Sequence, residues 1–240
     1  PSKRQQEDRR LLIEIRSSFE QSERTYGSPR ILKDLQEIGQ KTSKKRVARI
    51  MQENSIVAVQ RRRFRITTQS GHDFPIHPNL LERDFQIDRP NRIWLGDITY
   101  VRTEEGWLYL AALLDLFSRR IVGWNTADRI DRWLPLAALQ QALLERRPQP
   151  GLIHHSDRGG QYASYDYQKC LRLARATTSM SRKGDCWDNA PMESFFSTLK
   201  RERVHRRRYW TRSEATTDIG DYINRFYNRI RRHSQLGDVS

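Results

Sequence analysis

Cysteine is nearly missing from this chain: 240 residues hold two, Cys170 and Cys186, and neither forms a CxxC pair or a Cys/His cluster at zinc spacing. A disulfide framework and a thiolate zinc site are excluded, and a reducing, cytoplasmic compartment is expected. Cys170 lies with Tyr167, Leu171 and Ala174 on the apolar side of a predicted helix and reads as core. Long apolar runs are missing too. No stretch approaches 18 uncharged apolar residues and the mean hydropathy is −0.85, which excludes a membrane-spanning helix. There is no secretory signal and no internal repeat. Acidic residues are scarce relative to basic ones: 29 Asp+Glu stand against 44 Lys+Arg, for a net charge of +15 and a pI near 10.3. That balance suits a nucleic-acid partner, because clustered cations release counterions from phosphates. An anionic membrane surface is the competing explanation. The chain opens at Pro1, not Met. It is expected to be a fragment of a longer product, or to have lost upstream residues.

What is present falls into three stretches. Residues 1–58 read as a helical, helix-turn-helix-like DNA-binding region. Leu11, Leu12, Ile15 and Phe19 form one apolar stripe. Ile31, Leu32, Leu35 and Ile38 form a second, starting after Pro29 and closed by Gly39. Thr42 or Ser43 caps a third helix carrying Val47, Ile50 and Met51. The short break before it suits a helix-turn-helix, with Lys44, Lys45, Arg46 and Arg49 facing DNA. An ordinary three-helix bundle with a charged face is the alternative. Residues 59–90 contain Arg61, Arg62 and Arg63 and the prolines Pro75, Pro78 and Pro90. They read as a basic linker that tracks a phosphate backbone or enters a minor groove, or as a plain tether.

From 91 to 240 the texture is α/β. Strands are predicted at Ile93–Val101, Trp107–Leu116 and Arg120–Trp124. A helix over Trp133–Glu145, a strand at Leu152–His155, a helix over Tyr165–Ala174 and a strand at Ala176–Met180 follow. Two more helices end the chain, one opening at DNAP and one running from Ala215 to Ile230. This order is that of a ribonuclease-H-like mixed sheet with flanking helices, here preceded by a small all-α domain.

Three acidic residues stand where a metal-dependent nuclease needs them. Asp97 interrupts the strand-like IWLGDITYV, where it shares a face with Ile93, Leu95, Thr99 and Val101. Strand interiors disfavour Asp, and a carboxylate facing a core is costly unless paired or metal-bound. Asp157 closes GLIHHSD, and Glu193 lies in the first turns of the helix NAPMESFFSTLK, with Asp188 or Asn189 as its cap. The gaps are 59 residues (157 − 97 − 1) and 35 residues (193 − 157 − 1). Carried to one sheet edge, the three would hold two divalent cations for phosphodiester chemistry. Oxygen donors with no soft ligand nearby suit Mg²⁺ or Mn²⁺. Lys200 shares the Glu193 face by i, i+4, i+7 spacing, at a distance suited to a DNA phosphate, while Met192, Phe196 and Leu199 face the core.

The pieces WLGDITYV, GWLYLAALLDLFSRRIVGW, HSDRGGQY, DNAPMESFFSTLK and YNRIRRHSQLG resemble the integrase core of bacterial insertion-sequence transposases of the IS-three family, relatives of retroviral integrases. YGSPRILKDL and RVARIMQENSI resemble the helix-turn-helix-like segment upstream of that core. The resemblance implies a DDE recombinase with a retroviral-integrase-type fold. Asp97, Asp157 and Glu193 then match the catalytic, metal-binding triad and Lys200 the basic residue after it. It further implies nicking at element ends and attack by the released 3′-OH on target DNA, with two Mg²⁺ or Mn²⁺ per active site. Neither a covalent protein–DNA intermediate nor ATP is involved. The partners implied are the terminal inverted repeats, target DNA and further copies of the chain on DNA, in a bacterial cytoplasm at the nucleoid. Such proteins commonly arise by frameshifting between two reading frames. The lack of a leucine heptad run fits a downstream-frame product or a truncated fusion, and the zinc module of retroviral integrases is also lacking.

Other residues carry open alternatives. His154 and His155 read as hydrogen-bonding partners behind the site or as strand packing, and Asp115 as an outer ligand or a turn cap. Gly159 and Gly160 read as a tight turn rather than a phosphate cradle, and Trp187 as a base-stacking ring or a loop anchor. Arg206–Arg208 and Arg229–Arg232 read as phosphate contacts or a solvated face. Two other functions compete with strand transfer: a purely hydrolytic ribonuclease-H-like nuclease, and a catalytically silent repressor derived from a transposase. The helix-turn-helix-like front end argues against the first, the intact triad against the second.

Overall fold

The computed structural model describes residues 2–59, 77–82, 85, 87–182, 186–233 and 236–237. Arg61, Arg62 and Arg63, most of the expected linker and the Trp187 side chain lie outside the described residues. The chain divides into two compact units. One, here the helical unit, comprises Pro1–Arg63 together with Asn224–Ser240; the other, the sheet unit, is Phe64–Ile223.

In the helical unit, α1 (Lys3–Gln21) starts at a capping box. Ser2 Oγ accepts from Gln5 N, and Gln5 Oε1 accepts from Ser2 N. Its stripe Leu11, Ile15 and Phe19 is buried against α2 (Ser28–Glu37) and α3 (Lys44–Glu53), which contribute Ile31, Leu35, Val47, Ile50 and Met51. Gly39, at φ 79°, ends α2 in the left-handed region that glycine tolerates. Ser43, of the two capping candidates, accepts from Arg46 N and starts α3.

The C-terminal segment completes this unit. Tyr26 Oη accepts from Arg232 N at 2.7 Å and donates to Ile230 O at 3.1 Å. The Arg232 guanidinium pairs with Asp34 at 2.6 Å and with Glu37 on α2. Arg231 and Arg232 are buried. The expectation of a solvated or DNA-facing Arg229–Arg232 run is therefore corrected at these two positions. Periodicity marks them as polar, but the acidic partners of Arg232 lie some 200 residues away in sequence.

The sheet unit holds five strands in the order β3-β2-β1-β4-β5. They are β1 (Ile93–Thr103), β2 (Gly106–Asp115), β3 (Ile121–Ala127), β4 (Ile153–Ser156) and β5 (Thr177–Met180). The first three form an antiparallel meander, while β4 runs parallel to β1 and β5 to β4. The mixed sheet with flanking helices is the expected ribonuclease-H-like architecture. Helices α4 (Trp133–Arg146), α5 (Gly160–Ala163) and α6 (Tyr165–Leu173) build an apolar layer with Trp94, Leu113, Leu139, Tyr162 and Tyr167. Helices α7 (Ala190–Glu202) and α8 (Arg212–Asp221) also pack against β1. Trp94 and Leu95, neighbours pointing to opposite faces, are therefore both fully buried. Gly123 lets α4 approach β3: a Cβ there would lie 2.2 Å from Ala138 O.

Two boundaries differ from expectation. β3 continues past Trp124 to Ala127, because ladder pairing of Asn125 with Ala111 and Thr126 with Leu110 overrides their polar character. The last helix changes to π winding over Tyr222–Tyr227. A six-residue stretch is too short for its apolar spacing to signal the wider i→i+5 turn.

Candidate active site

Backbone pairing brings the first two carboxylates together. The β1–β4 ladder ends at Gly96↔Ser156, so Asp97 and Asp157 are the next residue on each of two adjacent parallel strands. Each is oriented by the chain just after it. Asp97 Oδ1 accepts from Ile98 N at 2.7 Å, and Asp157 Oδ1 accepts from Gly159 N at 2.9 Å. The Asp157 turn tightens through Tyr162 N donating to Gly159 O at 3.0 Å, which bears out the tight-turn reading of the glycine pair.

The third carboxylate arrives on α7. Asn189 precedes that helix and donates through Nδ2 to Gly96 O at 3.2 Å, tying the helix start to the residue before Asp97. Asp188, fully buried, accepts from Arg182 at 2.8 Å and from Asn79 at 2.9 Å. Neither side chain caps the helix. The capping expectation is corrected: Arg182 and Asn79 donate to the Asp188 carboxylate, and the Asn189 amide is turned to donate to Gly96 O. The helix is anchored by Met192, Phe195, Phe196 and Leu199, all buried, with Glu193 half-buried in the first turn.

Electrostatics report how close the groups stand. Asp97 is pushed up from 3.8 to about 8, first by burial, then by the charge of Asp157, with a smaller push from Glu193. Its hydrogen bond from Ile98 and the ammonium of Lys200 oppose that rise. Burial also raises Glu193. Lys200 is only 7 % exposed, and its Nζ lies 4.7 Å from the centre of the Tyr100 ring. An aromatic face and the Asp97 charge thus hold its ammonium near the acidic centre. Among the described residues, no three His, Cys, Asp or Glu side chains are arranged to hold a metal ion as they stand.

Tyr162 was not legible as a site residue. It is buried, its hydroxyl has no hydrogen-bond partner, and the charges of Asp97 and Asp157 add to burial in holding that hydroxyl protonated. The only signal was its place in RGGQY. The histidines belong to the scaffold. His155 bridges Ser179 and Ser181 at 2.8 and 3.0 Å, and His154 Nε2 meets Tyr167 Oη at 2.8 Å. Burial lowers His154 to about 3 and His155 to about 4, so both are neutral. Asp115 is the turn cap of its two readings, accepting from Asn91 N, Ser118 N and Ser118 Oγ.

In the helical unit, Lys44 and Lys45 are exposed. Arg46 pairs with Asp8 at 2.7 Å and Glu7 at 3.3 Å, and Arg49 with Asp8 at 2.6 Å and Glu53 at 2.9 Å. Both arginines are thus engaged by carboxylates of α1 and α3 while remaining partly exposed. Arg206–Arg208 are engaged as well: Arg206 with Glu202 O, Arg207 with Asp218 and Arg208 with Glu104.

Comparison with known proteins agrees with this architecture. Integrase core domain families match residues 87–186 and 174–240, and an HTH-like domain family matches 5–64. The insertion element IS600 31 kDa protein of Shigella sonnei is 47 % identical over all of this chain and 88 % of its own length. Transposase InsF for insertion sequence IS3A of Escherichia coli K12 is 42 % identical, over 94 % of this chain and 78 % of its own. The chain belongs to the IS-three family of transposases. Among solved structures, a magnesium complex of the HTLV-2 integrase catalytic core domain is 17 % identical. It covers 62 % of the transposase, and 93 % of its own chain, with a TM-score of 0.47. The protein is a DNA transposase with an integrase-type core and a helix-turn-helix-like region in front. Among the described residues of the transposase, no helix is long and apolar enough to cross a membrane.

Proposed function

We infer that Asp97, Asp157 and Glu193 are the carboxylate triad with which the transposase cuts DNA at element ends and transfers the 3′-OH strand to target DNA. The observation that carries this reading is the electrostatic convergence on Asp97. Burial, then the charge of Asp157 just past β4 and more weakly that of Glu193 on α7, raise the acid on β1 to about 8. Such an arrangement is unfavourable without a cation.

The donor set fits Mg²⁺ or Mn²⁺, two per site: it offers oxygen ligands only. Among the described residues, two buried polar atoms beside it, Tyr162 Oη and Asn189 Oδ1, have no hydrogen-bond partner. Asp97, Asp157 and Glu193 would hold the ions. When bound, such ions activate an attacking oxygen and stabilise the leaving one. The chain's own contributions are orientation and charge. Ile98 N and Gly159 N fix the planes of the two aspartates, and α7 brings Glu193 up to the sheet edge. Lys200 offsets part of the negative charge, and the Tyr162 hydroxyl supplies a neutral donor near both aspartates.

Domain roles follow the same reading. Residues 1–58 read the terminal inverted repeats through Lys44 and Lys45, with Arg46 and Arg49 fixing the helix that presents them. Residues 59–90, including Arg61, Arg62 and Arg63, link this reader to a catalytic region at 91–240. The active form is a homo-oligomer on DNA at the bacterial nucleoid. The test is cleavage and strand transfer on end DNA with Mg²⁺, comparing wild type with Asp97→Asn, Asp157→Asn and Glu193→Gln. Each variant should lose both reactions while binding end DNA normally. Cleavage above a few per cent of wild type by any one removes that residue from the triad. Hydrolysed ends without joined products would favour the simple nuclease.

A further inference from the structure

The tip of the β1–β2 hairpin carries a surface that the proposed chemistry does not use. Tyr100 and Trp107 are each 43 % exposed and Trp210 is 61 % exposed. Backbone contacts gather them. Glu104 N donates to Tyr209 O at 3.0 Å, and Arg212 Nε donates to Trp107 O at 3.0 Å, which holds the start of α8 against the hairpin turn. Tyr100 and Trp107 meet edge to face with centroids 5.1 Å apart. Each of the three rings also carries a cation. Lys200 lies 4.7 Å from Tyr100, Arg102 5.9 Å from Trp107 and Arg208 4.6 Å from Trp210. The acids nearby are engaged locally: Glu104 by Arg208, Glu105 by Arg212 N and Glu214 by Trp210 N.

Rings left in water, interleaved with cations, are the pattern by which proteins hold single strands: cations follow the phosphates and the rings stack on bases. A paired duplex hides its base faces, so such a surface selects bases already splayed out. Tyr100 follows Asp97 by three residues on β1, about 10 Å along the strand and on the other face by alternation. Lys200 joins the two places, lying on the Tyr100 ring while its charge acts on Asp97.

We propose that Tyr100, Trp107 and Trp210 form a stacking platform for unpaired bases of the DNA strand that runs past the cut. The position of the cut rests on the triad reading above; the binding of unpaired bases does not. The test therefore uses the full chain without divalent metal, where no cleavage competes. Two end-DNA duplexes of equal length are compared by fluorescence anisotropy, one fully paired and one with three mismatched flanking nucleotides, with 2-aminopurine in that flank as a stacking probe. Wild type should prefer the splayed duplex and quench the probe. Tyr100→Ala, Trp107→Ala and Trp210→Ala should each reduce that preference, roughly fivefold to a hundredfold per lost stack. Tyr100→Phe and Trp107→Phe, which keep a ring, should retain most of it. Equal affinity of wild type for both duplexes overturns the proposal. So does an unchanged preference in the alanine variants, including the case where Trp107→Ala instead shifts the sedimentation coefficient, which would mark a contact with a second copy. Asp97→Asn should bind the splayed duplex as wild type does, so a failed triad and a failed platform give different results.

Discussion

Removing one negative charge from the acidic centre should make the metal-free transposase more stable. In the folded chain Asp97 is raised from 3.8 to about 8, mainly by burial and by Asp157. A folded acid with a raised value binds its proton more tightly than the unfolded chain does, so its contribution to stability is complete below pH 3.8. It is lost as pH rises towards 8. Each pH unit in that window is worth about 1.4 kcal/mol, which would reach about 4 kcal/mol at pH 7. Asp97 keeps some contact with solvent, and water there screens the repulsion, so roughly 1–3 kcal/mol should be realised. Asp97→Asn escapes this loss. Its melting temperature in EDTA should match wild type near pH 4 and exceed it by roughly 3–10 °C at pH 8. Mg²⁺ should then narrow the gap by stabilising only the wild type. A variant less stable than wild type at pH 8, or a gap that widens as pH falls, would refute the idea that these carboxylates repel one another.

Lys200→Met, which keeps the stem over Tyr100 but removes the charge, should raise the pH at which Asp97 titrates and increase the Mg²⁺ needed for half-maximal stabilisation; an unchanged titration would mean the ammonium does not act on Asp97. Lys44→Ala with Lys45→Ala should weaken binding to element ends without changing the melting temperature. Arg46→Ala with Arg49→Ala should instead lower stability by about 1–2 kcal/mol through loss of the Asp8 bridges, and equal stability of the two double variants would remove the distinction drawn between these pairs. Arg232→Ala leaves Asp34 without its guanidinium and should cost the helical unit roughly 2–3 kcal/mol, measurable by hydrogen exchange in α1 and α2.

The sheet was legible because its strands are short apolar runs with turn residues between them, and Asp97 stood out as a charge in the middle of one. Helix α7 was legible from Pro191 and the buried spacing of Met192, Phe196 and Leu199. What escaped was everything decided by a distant partner. Arg46 and Arg49 look like a DNA-facing set until Asp8, 38 residues from the first of them, is brought alongside. Lys200 shares the Glu193 face as the spacing required, but only tertiary packing could reveal the Tyr100 ring beneath its ammonium. Tyr162 was hidden because a tyrosine after two glycines reads as turn furniture, and its burial near both aspartates depends on how β4 and α5 meet. Asp188 and Asn189 carried the right residue types for a cap, but Asp188 takes donors from Arg182 and Asn79 and Asn189 donates to Gly96 O.

The helical unit is assembled from both ends of the chain, and this bears on the order in which the protein is made. Residues 64–223 form a compact unit that is complete once Ile223 has left the ribosome. The helical unit is not: Tyr26 and Asp34 wait for Ile230 and Arg232, some 200 residues later in the chain. Domains usually finish in the order of synthesis, and here that order is reversed. A ribosome that stops after Ile223 would release a complete sheet unit attached to a helical unit without its closing segment.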